Sequence, residues 1–426
     1  MPNIISTSTS ATATAPFNQR KIDRNQDGTL WSARIATVSD GQGGTTPGAV
    51  FAYSKDNGAT WTSLALDGRT TAGTASAISG AADISLFIDL DDYAHIAFNQ
   101  GLYNAVAADT GGARINGPVY YMRGTPNAGR TGWTWSAAVA FDSAANFDNP
   151  DIVAHREGAG WSAHIVAPFI ESQSNLVSYV RMSITSAGAI SATPQANISN
   201  NYQVGGANCY PSIDFNHTGD GKTVAGGTPH LYVGWTTGST GAGQGIRFRK
   251  AVYAAGAWTW NAEREIDNTV KASFTDSWQS VLFDGTRITI AGSYGNASNA
   301  GAFRQLERDA ADTATTVIST TFIPLASGSA TYDSAGNVYL LGRDSSGVNG
   351  TRLLNYRKWT RATATLGPIV TFDTTGNDFP YVSAKRGYSS NSIDWVYTDG
   401  TASPYSVTFE RIALTPLTPY TPAVML

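Results

Sequence analysis

The stretch "YSKDNGATW" (residues 53–61) places Asp56, Gly58 and Trp61 at short fixed offsets, and it overlaps an apolar run, "AVFAYS" (49–54). The Asp56 carboxylate can accept hydrogen bonds from the amides of a turn, and Gly58 permits a positive φ. Trp61 is a large side chain that can pack between sheets. The stretch therefore predicts a hairpin turn that joins two strands.

The strands on either side of this turn belong to a repeating unit. A pair of apolar segments separated by a turn with Asp or Gly occurs at residues 21–37, 83–98, 151–169, 212–235, 280–292, 329–343 and 381–398. A third segment follows each pair, at 49–54, 118–123, 176–182, 245–251, 302–308, 353–359 and 406–412. Trp often announces a fourth, at 60–66, 133–141 and 258–266.

Four strands per unit, repeated without helical segments, predict an all-β fold: a single seven-bladed β-propeller of four-stranded antiparallel blades. Six blades are the alternative count, and two β-sandwiches are the alternative all-β architecture. The seventh unit supplies three strands, so residues 1–16 form an N-terminal arm that can close the last blade. Residues 17–414 form the propeller, and the Pro-rich segment 415–426 is a tail. The other interpretation, that both ends are flexible linkers, stays open.

Composition limits the partners and the location of the chain. The net charge is −4, with no Lys/Arg run, which argues against nucleic-acid binding. No apolar segment approaches the ~18 residues that span a bilayer. The start, "MPNIISTSTSATATAP", has neither the basic nor the apolar part of a secretory signal, so we expect synthesis in the cytosol and a virion or extracellular location reached by another route. Cys209 is the single cysteine, which excludes an intramolecular disulfide.

The opening stretch resembles the Asp-box of sialidase-like and BNR-repeat β-propellers, and Ser54, Asp56, Gly58, Thr60 and Trp61 all match it. The resemblance implies a structural role for the box, on the face away from the usual ligand site. The arm and the single complete box are also similar to sialidase-like minor tail proteins of bacteriophages. That resemblance implies a virion component, with a carbohydrate or cell-surface receptor and other virion proteins as partners.

Histidine recurs at the start of the second strand, as His95, His164 and His230. Neighbouring histidines can hold a metal or act as acid and base. Other units carry an aromatic residue in that place, and this pattern is typical of a packing position. The candidates for ligand binding there are His230, Trp31, Tyr339 and Trp395.

Arginine recurs on the third strands, as Arg123, Arg181, Arg249 and Arg357, with Arg308 and Arg411 slightly offset. In sialidases three Arg side chains bind the substrate carboxylate, the first within an Arg-Ile-Pro motif. This chain has Arg34-Ile35-Ala36 instead, which departs from the motif.

Propeller polysaccharide lyases use His, Tyr and Arg around the axis. The corresponding candidates are His95, His155, His164, Tyr210 and Arg181. Such a site needs a base and a charge neutraliser close together. The Asp-rich turns at 89–95 and 216–222 lack the Glu of an EF-hand, so we expect no cofactor beyond incidental Ca²⁺.

Three functions follow from these patterns. The first is a glycan- or receptor-binding propeller, the second is a glycosidase or polysaccharide lyase that acts on envelope polysaccharide, and the third is a structural scaffold. A deep axial pocket with two carboxylates, or a His/Tyr/Arg cluster, favours the enzyme. A shallow mouth without convergent polar groups favours the scaffold.

Overall fold

The computed structural model describes residues 3–8, 13–14, 19–39, 45–64, 81–100, 118–141, 149–171, 174–199, 202–203, 211–237, 245–267, 278–296, 299–309, 315–319, 326–344, 352–377, 382–384, 392–401 and 403–414. Their strands form seven antiparallel sheets, which we number in chain order. The first strand, β1 (Asn3–Ser8), belongs to sheet 7. Cys209, Tyr210 and the tail 415–426 lie outside the described residues.

The strands of each sheet follow one another along the chain. Sheet 1 contains β2 (Ile22–Arg24), β3 (Leu30–Ser39), β4 (Thr45–Ser54) and β5 (Thr62–Leu64). Sheet 2 contains β6 (Ala81–Ile88), β7 (Ala94–Gln100), β8 (Val119–Pro126), β9 (Trp133–Trp135) and β10 (Val139–Ala140). Sheet 3 contains β11 (Asp151–Glu157), β12 (Gly160–Glu171), β13 (Ser174–Ile184), β14 (Ile190–Ala192), β15 (Ala196–Asn197) and β16 (Tyr202–Gln203). Sheet 4 contains β17 (Ser212–Phe215), β18 (His230–Thr237), β19 (Gly245–Ala254), β20 (Ala257–Trp260) and β21 (Arg264–Asp267).

The remaining sheets repeat the pattern. Sheet 5 contains β22 (Trp278–Phe283), β23 (Arg287–Asn296), β24 (Asn299–Asp309) and β25 (Thr315–Ser319). Sheet 6 contains β26 (Ala326–Tyr332), β27 (Val338–Arg343), β28 (Arg352–Thr360), a 3-10 turn (Arg361–Thr363), β29 (Thr365–Leu366) and β30 (Val370–Asn377). Sheet 7 contains β31 (Val382–Ala384), β32 (Ser392–Asp399), β33 (Tyr405–Ala413) and β1, which pairs with β33.

The outermost strand is broken into short pieces in sheets 2, 3, 4 and 6. In sheet 4, for example, β20 and β21 both pair with β19, whereas the sequence predicts one strand over 258–266. An outer strand pairs on one side alone, so an interruption costs fewer ladder hydrogen bonds there than in an inner strand.

Neighbouring sheets contact one another through their first strands. These contacts run from β2 through β6, β11, β17, β22 and β26 to β31, and β2 also contacts β32 of sheet 7. Apolar clusters fill the spaces between the sheets, including one of Ile22, Leu30, Val396 and Phe409 between sheets 7 and 1. The arrangement is consistent with a β-propeller. Among the described residues no helix is long and apolar enough to cross a membrane.

Side chains on the first strands also bind the next sheet. Each accepts a hydrogen bond from a backbone amide of its neighbour, and so satisfies a buried donor that no ladder reaches. The acceptor and donor pairs are Asp23 and Ile88 (2.8 Å), Asp151 and Ile213 (3.0 Å), Ser212 and Val281 (3.0 Å), Ser280 and Ala330 (3.1 Å), and Ser383 and Lys21 (3.1 Å).

The Asp-box of the opening stretch forms the turn between β4 and β5. Asp56 accepts hydrogen bonds from Thr60 N at 2.8 Å and from the hydroxyls of Thr60 and Ser54, and these bonds lower the pKa of Asp56 to about 2. Gly58 N donates to Ser54 Oγ at 2.7 Å. The box is therefore closed by its own side chains. In these antiparallel sheets the turn between the first and second strands lies at the same end as the turn between the third and fourth, and we call this side of the molecule the Asp-box face.

The same turn packs on sheet 7. The Trp61 ring lies 5.3 Å from the Phe409 ring, and Asn3 Nδ2 donates to the carbonyl of Gly58 at 2.8 Å. Gly58 has a φ of 90°, and a Cβ there would lie 2.1 Å from the Phe409 ring. Glycine is therefore required both by the backbone and by the close approach of Phe409.

We predict that Gly58→Ala lowers the free energy of unfolding by at least ~3 kcal/mol, because strain and overpacking add. Gly158 is the matched control, since its φ is 59° and a Cβ there would meet nothing within 4 Å. Gly158→Ala should cost about 1 kcal/mol. Chemical denaturation of both variants measures the difference, and equal losses would contradict the packing role of Gly58.

Candidate functional site

The recurring residue of the second strand occupies one structural position in sheets 1, 2, 3 and 6. By strand register, Trp31 lies opposite Tyr53, His95 opposite Arg123, His164 opposite Arg181 and Tyr339 opposite Lys358, and each faces the next sheet. Trp395, opposite Glu410, instead faces the preceding sheet, where its ring lies 5.1 Å from Phe372. All five second-strand residues are buried. His230 differs, because it lies opposite Val252 and is half-buried, and desolvation together with Lys250 lowers its pKa to about 4. The candidates are therefore dispersed over several sheets.

Between sheets 1 and 2 this position is an apolar packing site. The Trp31 ring lies 3.8 Å from Trp133, and Phe51 lies 5.3 Å from Trp135. Trp133 and Trp135 are 7% and 9% exposed, so the interface is sealed.

In sheet 2 the position holds a buried hydrogen-bonded triad. His95 Nε2 lies 2.9 Å from Asp89 Oδ2, and His95 Nδ1 lies 2.7 Å from Tyr121 Oη. The amides of Asp91 and Tyr93 also donate to Asp89, which caps the turn between β6 and β7. Thus the Asp-rich turn 89–95 is stabilised within the protein, and His95 locks the second strand to it.

In sheet 3 the position belongs to a second chain of hydrogen bonds, the His–His–Tyr chain of His155, His164 and Tyr179. His155 Nδ1 lies 3.1 Å from the carbonyl of Arg156, which can only accept. His155 Nε2 must then accept from His164 Nε2, at 3.0 Å, and His164 Nδ1 accepts from Tyr179 Oη, at 2.8 Å. The geometry fixes one direction, with both imidazoles neutral.

The pKa shifts agree with this direction. Burial lowers the pKa of His155 to about 4 and the pKa of His164 well below its usual value, and burial raises the pKa of Tyr179. The tyrosine therefore keeps its proton, and the histidines stay neutral at pH 7. Such a chain is a weak proton acceptor.

A partly exposed group of side chains lies beside this chain, and we call it the 3/4 cluster: Glu157, Arg181, Tyr253, Trp258 and Trp260. The Trp258 ring lies 4.8 Å from His164 and 5.3 Å from Tyr253, and Trp260 lies 5.0 Å from Tyr179. Trp258 and Trp260 thus take the places that Trp133 and Trp135 hold between sheets 1 and 2. Here, however, both tryptophans remain partly exposed.

Arg181 supplies the polar edge of the 3/4 cluster. Its Nη2 donates to Glu157 Oε1 at 2.5 Å and its Nε to Ser162 Oγ at 2.8 Å. The guanidinium carbon lies 5.5 Å from the Tyr253 ring, within the range of a cation–π contact. The side chains of Arg181 and Glu157 are 16% and 18% exposed.

The other arginines of the series do not converge on Arg181. Arg123 lies over the Tyr93 ring at 3.6 Å, Arg249 donates to the carbonyls of Asn261 and Ile198, Arg357 donates to the carbonyl of Gly367, and Arg411 donates to Asp394. Arg308 lies on β24, and Arg34 is buried, which lowers its pKa to about 10. Within the described ranges, no group of three or more His, Cys, Asp and Glu side chains could hold a metal.

Polar groups do converge on the axis, around the tripeptide Gln19-Arg20-Lys21. Gln19 Nε2 donates to Asp83 Oδ1 at 3.0 Å. Lys21 Nζ donates to Gln19 Oε1 at 2.5 Å and to the carbonyl of Ile84, while its backbone amide binds Ser383 of sheet 7.

Arg20 extends the same network to sheets 2, 3 and 4. Its amide donates to Ser85 Oγ at 3.1 Å, and its Nη2 donates to the carbonyl of Ile213 at 2.7 Å. The guanidinium also pairs with Asp214 at 3.4 Å and with Asp151 at 3.7 Å. The tripeptide therefore ties sheet 1, which it precedes, to sheets 2, 3, 4 and 7.

On the Asp-box face, the connection 216–229 between β17 and β18 contacts other sheets. Lys222 Nζ donates to the carbonyl of Arg24 in sheet 1 at 2.5 Å. Tyr332 of sheet 6 donates to the carbonyl of Gly219 at 3.3 Å. This connection therefore extends from sheet 4 to sheets 1 and 6.

Sequence reasoning missed Tyr179, Glu157, Tyr253 and Trp258 as site residues. A signal for Tyr179 exists in the segments "YYMR" (120–123) and "SYVR" (178–181), where Tyr precedes Arg by two residues. Residues at that spacing share one face of a strand. The other residues come from separate strands, and their proximity depends on tertiary packing.

Comparisons with known proteins bear on the fold. No family model matches the chain, and no curated protein matches it. Its fold is similar to a PL25 ulvan lyase bound to -[GlcA(1-4)Rha3S]-, with a TM-score of 0.58 at 9% identity over 97% of this chain and 96% of the lyase. A protein of unknown function from Dyadobacter fermentans has a TM-score of 0.51 at 14% identity, over 97% of this chain and 98% of its own.

A third similar structure is the polysaccharide lyase Uly1, with a TM-score of 0.50 at 9% identity, over 95% of this chain and 91% of its own. At such identities the likeness shows the fold alone. It agrees with a propeller that spans nearly the whole chain.

We predict that Lys21 makes stability depend on pH. Full burial lowers its pKa from 10.5 to about 7, although Asp83 and Asp151 act to raise it. Between those values the unfolded chain binds a proton that the folded chain does not, so the free energy of unfolding should rise by roughly 1.4 kcal/mol per pH unit.

Denaturant unfolding of wild type and Lys21→Met at several pH values above 7 tests this. The difference between their curves isolates the lysine, since the other titrating groups are shared. Parallel pH dependences would show that Lys21 titrates normally.

Proposed function

We propose that the chain is a glycan-binding β-propeller whose site is the 3/4 cluster. The observation that carries the proposal is the exposure of Tyr253, Trp258 and Trp260 beside the Arg181–Glu157 pair. The equivalent tryptophans between sheets 1 and 2 are sealed, so this exposure is not a general feature of the repeat.

The composition of the 3/4 cluster suits a sugar. An aromatic ring offers an apolar plane that matches the apolar face of a pyranose. The Arg181–Glu157 pair supplies both a donor and an acceptor for hydroxyl groups at the edge of the sugar. The site lies on the Asp-box face, whereas the family resemblance implies a ligand site on the other face.

Binding is favoured over catalysis by the protonation of the His–His–Tyr chain. A β-elimination needs a base that accepts a proton, and Tyr179 cannot act as that base because it keeps its own proton. Arg181, the group that would neutralise a uronate carboxylate, already binds Glu157 and Ser162.

A polysaccharide lyase is the second candidate, and one observation supports it. His164, Tyr179 and Arg181 lie together, and these are the residue types that such a reaction needs. The solved structures of similar fold include polysaccharide lyases, one of them bound to a glucuronate-containing glycan.

Two finer proposals concern the assembly. We propose that the seven sheets are the blades of one closed propeller over residues 17–414, with segment 1–16 completing the last blade. An electron-microscopy map with a different number of radial sectors would overturn this.

We also propose that the chain is a virion component whose terminal segments bind other virion proteins. Virus particles assembled in cells that produce the chain can be analysed by mass spectrometry. Absence of the chain from those particles would exclude that role.

We predict that Tyr253→Ala weakens glycan binding about tenfold, because a partly exposed aromatic contact is worth about 1.4 kcal/mol at such a site. Tyr93→Ala is the matched control, since Tyr93 also lies under an arginine but belongs to sheet 2, outside the 3/4 cluster. Calorimetric titration with bacterial envelope, capsular and glucuronate-containing polysaccharides measures both. Equal affinities of the two variants would refute the assignment of the 3/4 cluster as the glycan-binding site.

We predict that the wild-type protein releases no unsaturated uronate product from the same panel, and that Tyr179→Phe binds with an affinity within about threefold of wild type. Ultraviolet absorbance of the product is the measurement. If wild type does release product, and Tyr179→Phe loses that activity while Tyr121→Phe keeps it, the lyase replaces the binding protein as the function.

A further inference from the structure

The hydrogen bond between His155 and His164 can exist only in certain protonation states of the two rings. Two imidazole Nε2 atoms 3.0 Å apart share a hydrogen bond when one of them is unprotonated. The contact also joins strands β11 and β12 at the surface on which Trp258 of sheet 4 packs. The protonation state of two side chains therefore bears directly on the interface between sheets 3 and 4.

We propose that the His155–His164 contact is an acid-sensitive latch that holds β20 of sheet 4 against sheet 3 and releases it when the histidines take up protons. The consequence for glycan release rests on the proposed function, because Trp258 and Trp260 lie on β20. The latch itself does not depend on a ligand.

The steps follow from the direction of the chain. A first proton on His155 Nε2 can be accommodated if His164 shifts its own proton to Nδ1, which then donates to Tyr179 Oη. The hydroxyl hydrogen of Tyr179 must then turn away from His164 and lose its acceptor. A second proton sets two N–H groups face to face, and the contact breaks.

The surroundings give an added proton little compensation. The charged groups that act on the two rings are Glu157, which favours a proton on His155, and Arg181, which opposes it on both rings. The partners on the packed strands are uncharged: Phe215 of β17 lies 5.6 Å from His155, and Trp258 of β20 lies 6.0 Å from it. A buried cation here lacks a carboxylate of its own, since Glu157 is already bound to Arg181.

His95 provides the contrast within the same molecule. It is also fully buried and also bound to a tyrosine, but its Nε2 faces the carboxylate of Asp89. A proton on His95 would be held by that carboxylate. The interface around His95 should therefore not open under the conditions that open the latch.

Hydrogen–deuterium exchange of the full chain without ligand tests the proposal. As the pH falls from about 7 to below about 4, where first His155 and then His164 take up protons, the amides of residues 257–260 should exchange at least tenfold faster after correction for intrinsic rates. Residues 94–100, around His95, serve as the internal reference and should stay protected.

His155→Gln should abolish the opening, because an amide accepts a hydrogen bond at either pH, whereas His95→Gln should leave it unchanged. If residues 257–260 stay protected in wild type, or open equally in His155→Gln, the latch is refuted. Should His155→Gln not fold, ring-labelled wild type gives the answer by NMR, since the chain has five histidines. Titration of His155 and His164 that is coupled to loss of protection supports the latch, and titration of both near pH 6.5 without it overturns the proposal.

Failure of this experiment and failure of the glycan proposal can be told apart. Opening of β20 is measured on the protein alone, and glycan affinity is measured at neutral pH. Opening of β20 without glycan binding would support the latch and refute the proposed glycan site.

Discussion

The hydrogen bonds of the tripeptide Gln19-Arg20-Lys21 hold the centre of this molecule together. A ring of sheets leaves polar side chains and unpaired amides where its first strands meet, and each would cost free energy if it stayed unsatisfied. Here one short segment hydrogen-bonds to sheets 2, 4 and 7 and forms an ion pair with Asp151 of sheet 3. The packing of these four sheets around sheet 1 thus depends on residues outside any described strand.

This central network has a consequence for function. Arg20 pairs with Asp151 and Asp214, the Lys21 ammonium group is bound by Gln19 and the carbonyl of Ile84, and the connection 216–229 contacts sheet 1 on the Asp-box face. The 3/4 cluster, by contrast, keeps partly exposed aromatic and charged side chains between sheets 3 and 4. Because equivalent interfaces of a repeat protein share one geometry, a few substitutions can convert a sealed contact into an open one.

The comparison of equivalent interfaces shows how far sequence reasoning reaches. The recurrence of His95, His164, Trp31 and Tyr339 was visible in the sequence and indicated either chemistry or packing. Register shows that these residues share one buried position. Its side chains differ because their partners differ: Asp89 binds His95 across a turn, whereas Trp133 stacks on Trp31. The partners lie 6 and 102 residues away, respectively, and the second distance carries no local signal.

The sequence by itself determined the all-β class, the repeating strands and the Asp-box turn, because these depend on local alternation and on short-range hydrogen bonds such as those of Asp56. It also placed His155, His164 and Arg181 among the candidate residues. Only the tertiary structure decided that His155 contacts His164 and that Glu157 forms an ion pair with Arg181. It also decided that Trp258 of sheet 4 packs against the two histidines. The physical reason is that contacts between neighbouring sheets involve side chains of separate repeats, and their pairing follows from packing rather than from spacing along the chain.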